Sequence, residues 1–166
     1  MINKAQINVV VKELPELNVA YLRHFGRYHQ DVELFQRLFG KLLTWAAPRG
    51  LVQFPQTQAL TVFGGHPDTT DPEKLRVDVC LTVPKGTAAA GEIGNRKLSG
   101  GQYAVVHMEA PMADCYAAWE IVFNEWLPES GFQPDDRDYY LNHLNDPKSH
   151  PQQLHIVDMC IPVKPL

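Results

Sequence analysis

The sequence lacks the features that define several large classes of protein. It has 166 residues and only three cysteines, an odd number that does not suggest a disulfide framework. Basic residues are not clustered, and 15 Lys and Arg against 19 Asp and Glu give a formal net charge of −4. Phosphate binding needs clustered cations, so a nucleic-acid-binding surface is not indicated. The sequence also has no long apolar run for a membrane span and no apolar signal segment. We therefore expect a cytoplasmic protein that binds neither DNA nor membranes.

Motifs for metals, nucleotides and nucleophilic catalysis are also missing. The seven histidines show no His-x-x-x-His spacing, and no Cys-x-x-Cys occurs. There is no Gly-x-Ser-x-Gly turn, P-loop or dinucleotide fingerprint. We expect no metal, no cofactor and no catalytic residues, and we interpret Cys80, Cys115 and Cys160 as buried, reduced thiols.

The sequence does contain an internal repeat. Residues 77–84 read VDVCLTVP and residues 157–163 read VDMCIPV, and each copy follows an Asp-Pro dipeptide. Trp45 and Trp126 stand at equivalent positions near the ends of helix-like segments. The pattern predicts one domain over residues 1–166 with half-repeats at about 1–84 and 97–166, joined by a linker over 85–96. A cleft between two such copies is a natural place for a small molecule.

Hydrophobic periodicity gives each half the same order of elements: strand, strand, helix, strand, strand. In the first half the helix begins after an N-cap at Asp31 and ends before Pro48. Gly40 lies inside this helix, where glycine costs about 1 kcal/mol relative to alanine, so we expect tight packing there. The second half has its strands from residue 97 to 107, at 139–144 and at 154–163. The predicted fold class is α+β, with duplicated β-α-β-β units and pseudo-two-fold symmetry around a central ligand groove.

Two acidic residues occupy matching places in the repeat. Alternation along the strands puts Asp78 beside Cys80, and Asp158 beside Cys160, on one face. The two carboxylates could form a pair that attracts cations or shares a proton. The favoured alternative is that each caps backbone amides or pairs with Arg23 or Arg76.

The aromatic residues break the symmetry of the repeat. Trp119 corresponds to Leu38 at an offset of 81 residues, which makes Trp119 a better candidate for function than a residue that obeys the repeat. Simple core packing on a helix face is an equally weighted alternative. We predict an aromatic-lined groove that stacks on flat ligands of many shapes. Its leading contacts are Tyr28, Tyr103, Trp119, Phe123 and Tyr140.

Five segments resemble the GyrI-like small-molecule-binding domain. They are residues 14–28, 71–84, 98–105, 126–131 and 156–163, and they follow the family's order over nearly the whole chain. The resemblance implies two β-α-β-β units around a central groove. It also implies kinship with effector-binding domains of AraC-type and MerR-type transcription regulators, with gyrase-inhibitory proteins and with some hydrolases.

The resemblance also implies what differs in this chain. Cation-binding members typically carry a groove glutamate on the strand before the Asn-Asp-Pro turn, and Leu141 stands at that position here. Leu141 is therefore a predicted ligand contact that carries no charge. Acids elsewhere in the chain could replace the glutamate: Asp78, Asp158, Glu109, Glu120 or Glu125. The match begins within the first fifteen residues, so we expect no helix-turn-helix region and no direct DNA binding.

The function expected from these features is a stand-alone binding module for small amphipathic, aromatic or cationic organic ligands, such as drugs or effectors. One alternative is a hydrolase that acts on a reactive small molecule in the same groove. Another is an interaction protein that inhibits DNA gyrase. A homodimer, or a complex with gyrase or a transcription factor, also remains open.

Overall fold

The structure, a computed structural model, describes residues 2–28, 31–64 and 71–166. Its regular elements confirm the α+β class and the repeated order of elements. The strands are β1 (Val9–Leu14), β2 (Leu17–Phe25), β3 (Ala59–Gly64), β4 (Arg76–Thr82), β5 (Ile93–Leu98), β6 (Gly101–Ala110), β7 (Phe132–Pro134), β8 (Tyr139–His143) and β9 (His155–Pro165). The helices are α1 (Val32–Ala46) and α2 (Met112–Ile121), and α2 continues into a π-helical segment, Val122–Trp126. No helix in this described part of the chain is long and apolar enough to cross a membrane.

The chain forms two compact units. The central unit is Glu16–Ser99, and the terminal unit combines Met1–Pro15 with Gly100–Leu166. The strands of the central unit are antiparallel and lie in the order β3-β4-β2-β5. Those of the terminal unit are also antiparallel and lie in the order β1-β6-β9-β8, and β7 pairs with the last residues of β9. Each unit therefore contains a four-stranded path and one α-helix.

The first strand of each sequence half belongs to the unit of the other half. β1 pairs with β6 over its whole length, from Val9 opposite Val106 to Leu14 opposite Gly101. β5 pairs in the same way with β2, from Leu17 opposite Leu98 to Leu22 opposite Ile93. The half-repeats were expected at about 1–84 and 97–166. In the structure, the first strand of each half pairs with strands of the other half. β5 also begins four residues before the predicted strand, inside the predicted linker, because its register with β2 recruits Gly94 and Asn95, residues of low intrinsic β propensity.

Helix α1 begins as the sequence predicts. The Asp31 carboxylate accepts a hydrogen bond of 3.1 Å from the backbone N–H of Leu34, which satisfies one of the free donors of the first turn. Its buried residues recur every fourth position and form the helix side of the central core: Leu34, Leu38, Leu42 and Ala46. Tight packing at Gly40 is the part of the prediction that is wrong, since a Cβ placed there has no neighbour within 4 Å.

The sheet of the terminal unit has one face toward α2 and one face away from it. Tyr139 contacts Trp119 of α2, and alternation then puts Leu141 and His143 on the same face as Tyr139. We call this face the helix side. The opposite face carries Tyr140, whose cross-strand partner is Cys160.

Candidate functional site

Three aromatic rings meet on the helix side of the terminal unit. Trp119 and Phe123 are nearly parallel, with ring centroids 6.5 Å apart and an interplanar angle of 22°. Tyr139 on β8 meets both edge-on, at 5.7 Å from Trp119 and 6.4 Å from Phe123. We call these three residues the ring cluster. All three side chains are half-buried, so the cluster keeps surface that a ligand can reach.

A change in helical pitch positions two of these rings. The backbone N–H of Val122 donates to the carbonyls of both Ala118 and Trp119. This is the residue at which α2 ends and the π-helical segment begins. A π-helical turn widens the helix and changes the angle between successive side chains, and such turns often occur at functional sites. The transition falls between Trp119 and Phe123, so it sets the angle at which the two rings face one another.

Leu141 and His143 extend the helix side of β8 beyond the ring cluster. Leu141 is only 1% exposed and lies opposite Met159, which is fully buried. His143 is half-buried and lies opposite Val157. Burial, together with the neighbouring His155, lowers the pKa of His143 to about 4, so its imidazole is neutral at pH 7. The helix side of β8 therefore carries an aromatic, a buried aliphatic and a neutral polar side chain in alternating positions.

Tyr103 and Tyr140 lie on the other face of the same sheet. Their ring centroids are 5.7 Å apart, and the Arg137 guanidinium lies 4.7 Å from the Tyr103 centroid. Arg137 also donates hydrogen bonds to the carbonyls of Gly100, Gln102 and Val163. Its side chain therefore links β6 to β9 on this face of the sheet. A ligand on the helix side cannot reach these two tyrosines through the sheet.

Tyr28 belongs to the central unit, where it is 3% exposed. Its ring centroid lies 5.8 Å from that of Phe63 and 6.5 Å from that of Phe35. The structure thus brings together Trp119 and Phe123 of the predicted set, and Leu141 is buried on the same face of β8 as Tyr139. It does not place Tyr103 or Tyr140 with them, and Tyr28 packs in its own unit.

Asp78 and Asp158 each have partners inside their own unit. Asp78 is fully buried and accepts hydrogen bonds from Arg23, at 2.7 and 2.9 Å, and from Arg96, at 2.8 Å. Asp158 is half-buried and pairs with Nδ1 of His107 at 2.8 Å. Pairing with a cationic side chain was the favoured sequence interpretation, and the structure confirms it for Asp78, with Arg96 as an additional partner.

The cysteines are free and buried, as the sequence predicts. Burial raises the pKa of Cys115 to about 11 and that of Cys160 to about 12. Both are therefore thiols at neutral pH, and a thiol is a poor nucleophile. Among the described residues, no group of three or more His, Cys, Asp or Glu could hold a metal ion.

The central unit contains a separate shallow cavity of about 430 Å³. None of the predicted ligand contacts lines it, and the exposed ion pair of Lys41 and Glu92, at 3.5 Å, forms part of its wall. Its remaining lining residues are Leu22, Thr44, Trp45 and Ile93.

A sequence profile decides the family. The profile described as GyrI-like small molecule binding domain matches residues 7–164, nearly the whole chain. The chain belongs to this family. The expected resemblance is therefore confirmed, and so is the general assignment as a small-molecule-binding domain.

Relatives of this chain carry two different names. The chain is 33% identical over 130 residues to a DNA gyrase inhibitor of Pantoea sp. (strain At-9b), covering 77% of this chain and 81% of the relative. It is 33% identical over 128 residues to the probable transcriptional regulator YgiV of Escherichia coli O157:H7, covering 75% of this chain and 76% of the relative.

Solved structures show the same fold at low identity. The C-terminal domain of EcmrR superposes with a TM-score of 0.76 at 15% identity, covering 96% of this chain and 99% of that domain. EcmrR in its complex with DNA superposes with a TM-score of 0.79 at 15% identity, also covering 96% of this chain. The chain spans only 58% of that longer EcmrR chain.

Two residues of this GyrI-like site were missed in the predicted set. Tyr139 completes the ring cluster, and His143 extends it. Alternation along β8 was the available signal, because Tyr139, Leu141 and His143 are each two residues apart, whereas Tyr140 and Leu141 are adjacent and must face opposite sides. Leu141, inferred from the family resemblance, lies on the same face of β8 as Tyr139.

Proposed function

We propose that this GyrI-like domain binds flat or amphipathic organic molecules on the helix side of its terminal unit. The observation that carries the proposal is the half-exposed ring cluster of Trp119, Phe123 and Tyr139. Offset or edge-on aromatic contacts each contribute about 0.5–1.5 kcal/mol beyond the area they bury. Three converging rings can therefore hold a planar ligand without a dedicated ion pair.

Leu141 adds to the proposal because it places no carboxylate on this face of β8, although its own side chain is only 1% exposed. It lies on the same face of β8 as Tyr139 and carries no charge. Affinity should therefore follow the apolar area of the ligand more than its net charge. A site of this kind accepts many shapes and discriminates little between them.

A thermal-shift screen with planar organic compounds tests the proposal. At a ligand concentration of 100 times Kd, binding adds about 2.7 kcal/mol to the free energy of unfolding. For a chain of this length that corresponds to roughly 5–10 °C in Tm. Trp119→Ala should reduce the shift for every active compound.

The matched control is Trp45→Ala, which removes a half-buried tryptophan of the central unit that stacks with Arg49 at 4.8 Å. This variant should lose stability but keep the ligand-induced shift. A screen without any active compound, or equal losses of shift in both tryptophan variants, would contradict the proposal.

Inhibition of DNA gyrase is a second candidate function. It is favoured by relatives that carry this name at about one-third identity over most of the chain. A supercoiling assay with purified gyrase tests it directly. Unchanged supercoiling at a tenfold molar excess of this protein would exclude direct inhibition.

A further inference from the structure

We infer that the cavity of the central unit is a second binding site, and that it takes a free α-amino acid with an apolar side chain. The inference goes beyond the proposed function, because the described lining residues of the cavity include none of the ring cluster. Its basis is the pair of charges, the apolar wall and the indole nitrogen that meet around the cavity.

Helix α1 and the strands β2 and β5 form the wall of this cavity. Lys41, Thr44 and Trp45 follow one another at helical spacing, so they line it from one face of α1. Leu22 and Ile93 lie directly opposite each other on β2 and β5, and they line it from the sheet. The volume of about 430 Å³ falls within the range of about 300–1,000 Å³ that is typical of small-molecule pockets.

Two opposite charges lie side by side in this wall. The Lys41 ammonium is 3.5 Å from the Glu92 carboxylate, and both side chains are exposed. An α-amino acid carries its own ammonium and carboxylate about 3 Å apart, because a single carbon atom joins them. When such a ligand lies antiparallel to the Lys41–Glu92 pair, each of its charges is next to the opposite charge of the protein. The two side chains then need not separate to admit it.

Both charges come from fixed parts of the backbone. Lys41 lies inside α1, and Glu92 lies in a two-residue turn between Ala90 and Ile93. The backbone groups of Ala90 and Ile93 exchange two hydrogen bonds of 3.0 Å across this turn. Gly91 takes a φ of 60°, and the first position of such a turn favours a positive φ. Charges held in this way can select a ligand by the spacing of its own charges.

The rest of the wall suits an apolar side chain and an additional acceptor. Leu22 and Ile93 supply aliphatic groups, and Trp45 supplies an aromatic ring. The indole Nε1 of Trp45 is buried and has no hydrogen-bond partner in the part of the chain that the structure describes. Buried donors nearly always have an acceptor, and a ligand oxygen can provide one here. Lys41 precedes Trp45 by one helical turn on the same face, so a carboxylate held by Lys41 lies near Trp45.

An NMR titration with L-leucine and two analogues tests the inference. The isomer 6-aminohexanoate carries the same two charges at opposite ends of a carbon chain, and 4-methylpentanoate lacks the ammonium group. The reporter is the indole ¹⁵N–¹H signal of Trp45, which is assigned by its loss in Trp45→Phe. We expect L-leucine to move this signal and to bind about tenfold more tightly than either analogue, which is the usual effect of one hydrogen bond to a charged group.

Variants of the ion pair locate the site. Glu92→Gln removes the partner of the ligand ammonium, so the preference for L-leucine over 4-methylpentanoate should fall to about one. Lys41→Met removes the partner of the ligand carboxylate and should weaken binding of L-leucine about tenfold. The matched controls are Glu16→Gln and Lys97→Met, which change another exposed ion pair of the same unit, 3.8 Å apart. Both controls should leave binding of L-leucine unchanged.

Three results would overturn the inference. The first is an unmoved Trp45 signal in excess L-leucine, which includes the case in which signals move only elsewhere in the protein. The second is equal binding of L-leucine and 6-aminohexanoate. The third is an unchanged preference in Glu92→Gln. None of these results bears on the ring cluster, whose ligands the thermal-shift screen tests separately.

Discussion

The two copies of the Val-Asp-x-Cys segment place an aspartate at the same point of each unit, yet the aspartates have different partners. Arg23 lies directly opposite Asp78, and His107 lies directly opposite Asp158. Arg23 is always charged, whereas His107 carries a charge only when it is protonated. Asp78 is also 1% exposed and its counterpart 29% exposed. The repeat thus gives one unit a buried aspartate paired with arginine and the other a more exposed aspartate paired with histidine.

Removing the buried carboxylate should give the largest effect. Asp78→Asn leaves two guanidinium groups facing an uncharged amide inside the central unit. Breaking a buried pair typically costs about 3–5 kcal/mol, and we expect the lower end because both arginines are partly exposed. Urea denaturation measures the loss. Asp158→Asn is the control, with an expected loss of less than about 1 kcal/mol, and similar losses in both variants would remove the contrast between the units.

Acid should destabilise the terminal unit through His143. Its pKa is about 4 in the folded state, against about 6.5 for a free histidine side chain. Between these values the unfolded chain binds a proton that the folded chain does not, so the free energy of unfolding falls as the pH falls from 6.5 to 4. The contribution is about 3 kcal/mol. Burial also lowers the pKa of His155, which adds to the effect.

Urea denaturation at a series of pH values measures this slope. His143→Gln should flatten it between pH 6.5 and 4. An equal slope in the wild type and His143→Gln would show that this histidine is not the acid-sensitive group.

Charge on the helix side of the terminal unit should change ligand preference. Leu141→Glu supplies the carboxylate that the family resemblance leads one to expect, and it should strengthen binding of N-methylquinolinium by about 1.5–3 kcal/mol, or roughly ten- to a hundredfold. Binding of neutral 2-methylnaphthalene should not improve. Calorimetry measures both.

Leu141→Gln is the neutral control of the same size as glutamate. Because Leu141 is buried, both variants should also lose stability before a ligand is added. Equal changes for the cation and the hydrocarbon would show that position 141 does not face the ligand.

The smallest effect is expected in the central unit, where helix α1 contains an exposed glycine. Gly40→Ala should raise the free energy of unfolding by about 1 kcal/mol, because a Cβ at this position meets no neighbouring atom. Thermal denaturation measures a gain of roughly 2–4 °C. A loss of stability instead would show that the helix needs the glycine for close packing.

The sequence predicted the elements well where a local signal was strong. Helix α1 begins after its Asp31 cap, and β8 (Tyr139–His143) matches the strand predicted at 139–144. The pairing of β1 and β5 could not be predicted in the same way. A repeat shows which segments are alike but not which copy each strand joins, because hydrogen-bond partners depend on contacts far apart in sequence.

The candidate site was only partly predictable for a different reason. Trp119 was identified because it breaks the repeat, and its ring does lie in a cluster. Tyr140, an aromatic residue, and Leu141, inferred from the family resemblance, were both predicted as ligand contacts, although the alternation of the strand puts them on opposite faces. The angle between Trp119 and Phe123 depends on a π-helical turn for which the sequence has no recognised signature.

The exchange of first strands has a consequence for synthesis on the ribosome. The central unit is one continuous stretch of chain, so it can fold as soon as its last residues have emerged. The terminal unit needs β1, made first, and β9, made last. At a synthesis rate of about 5–20 residues per second, β1 exists for roughly 8–30 s before all the strands of its unit have been made. During that interval it is an unpaired edge with three consecutive valines, Val9 to Val11, which is the kind of segment that chaperones shield.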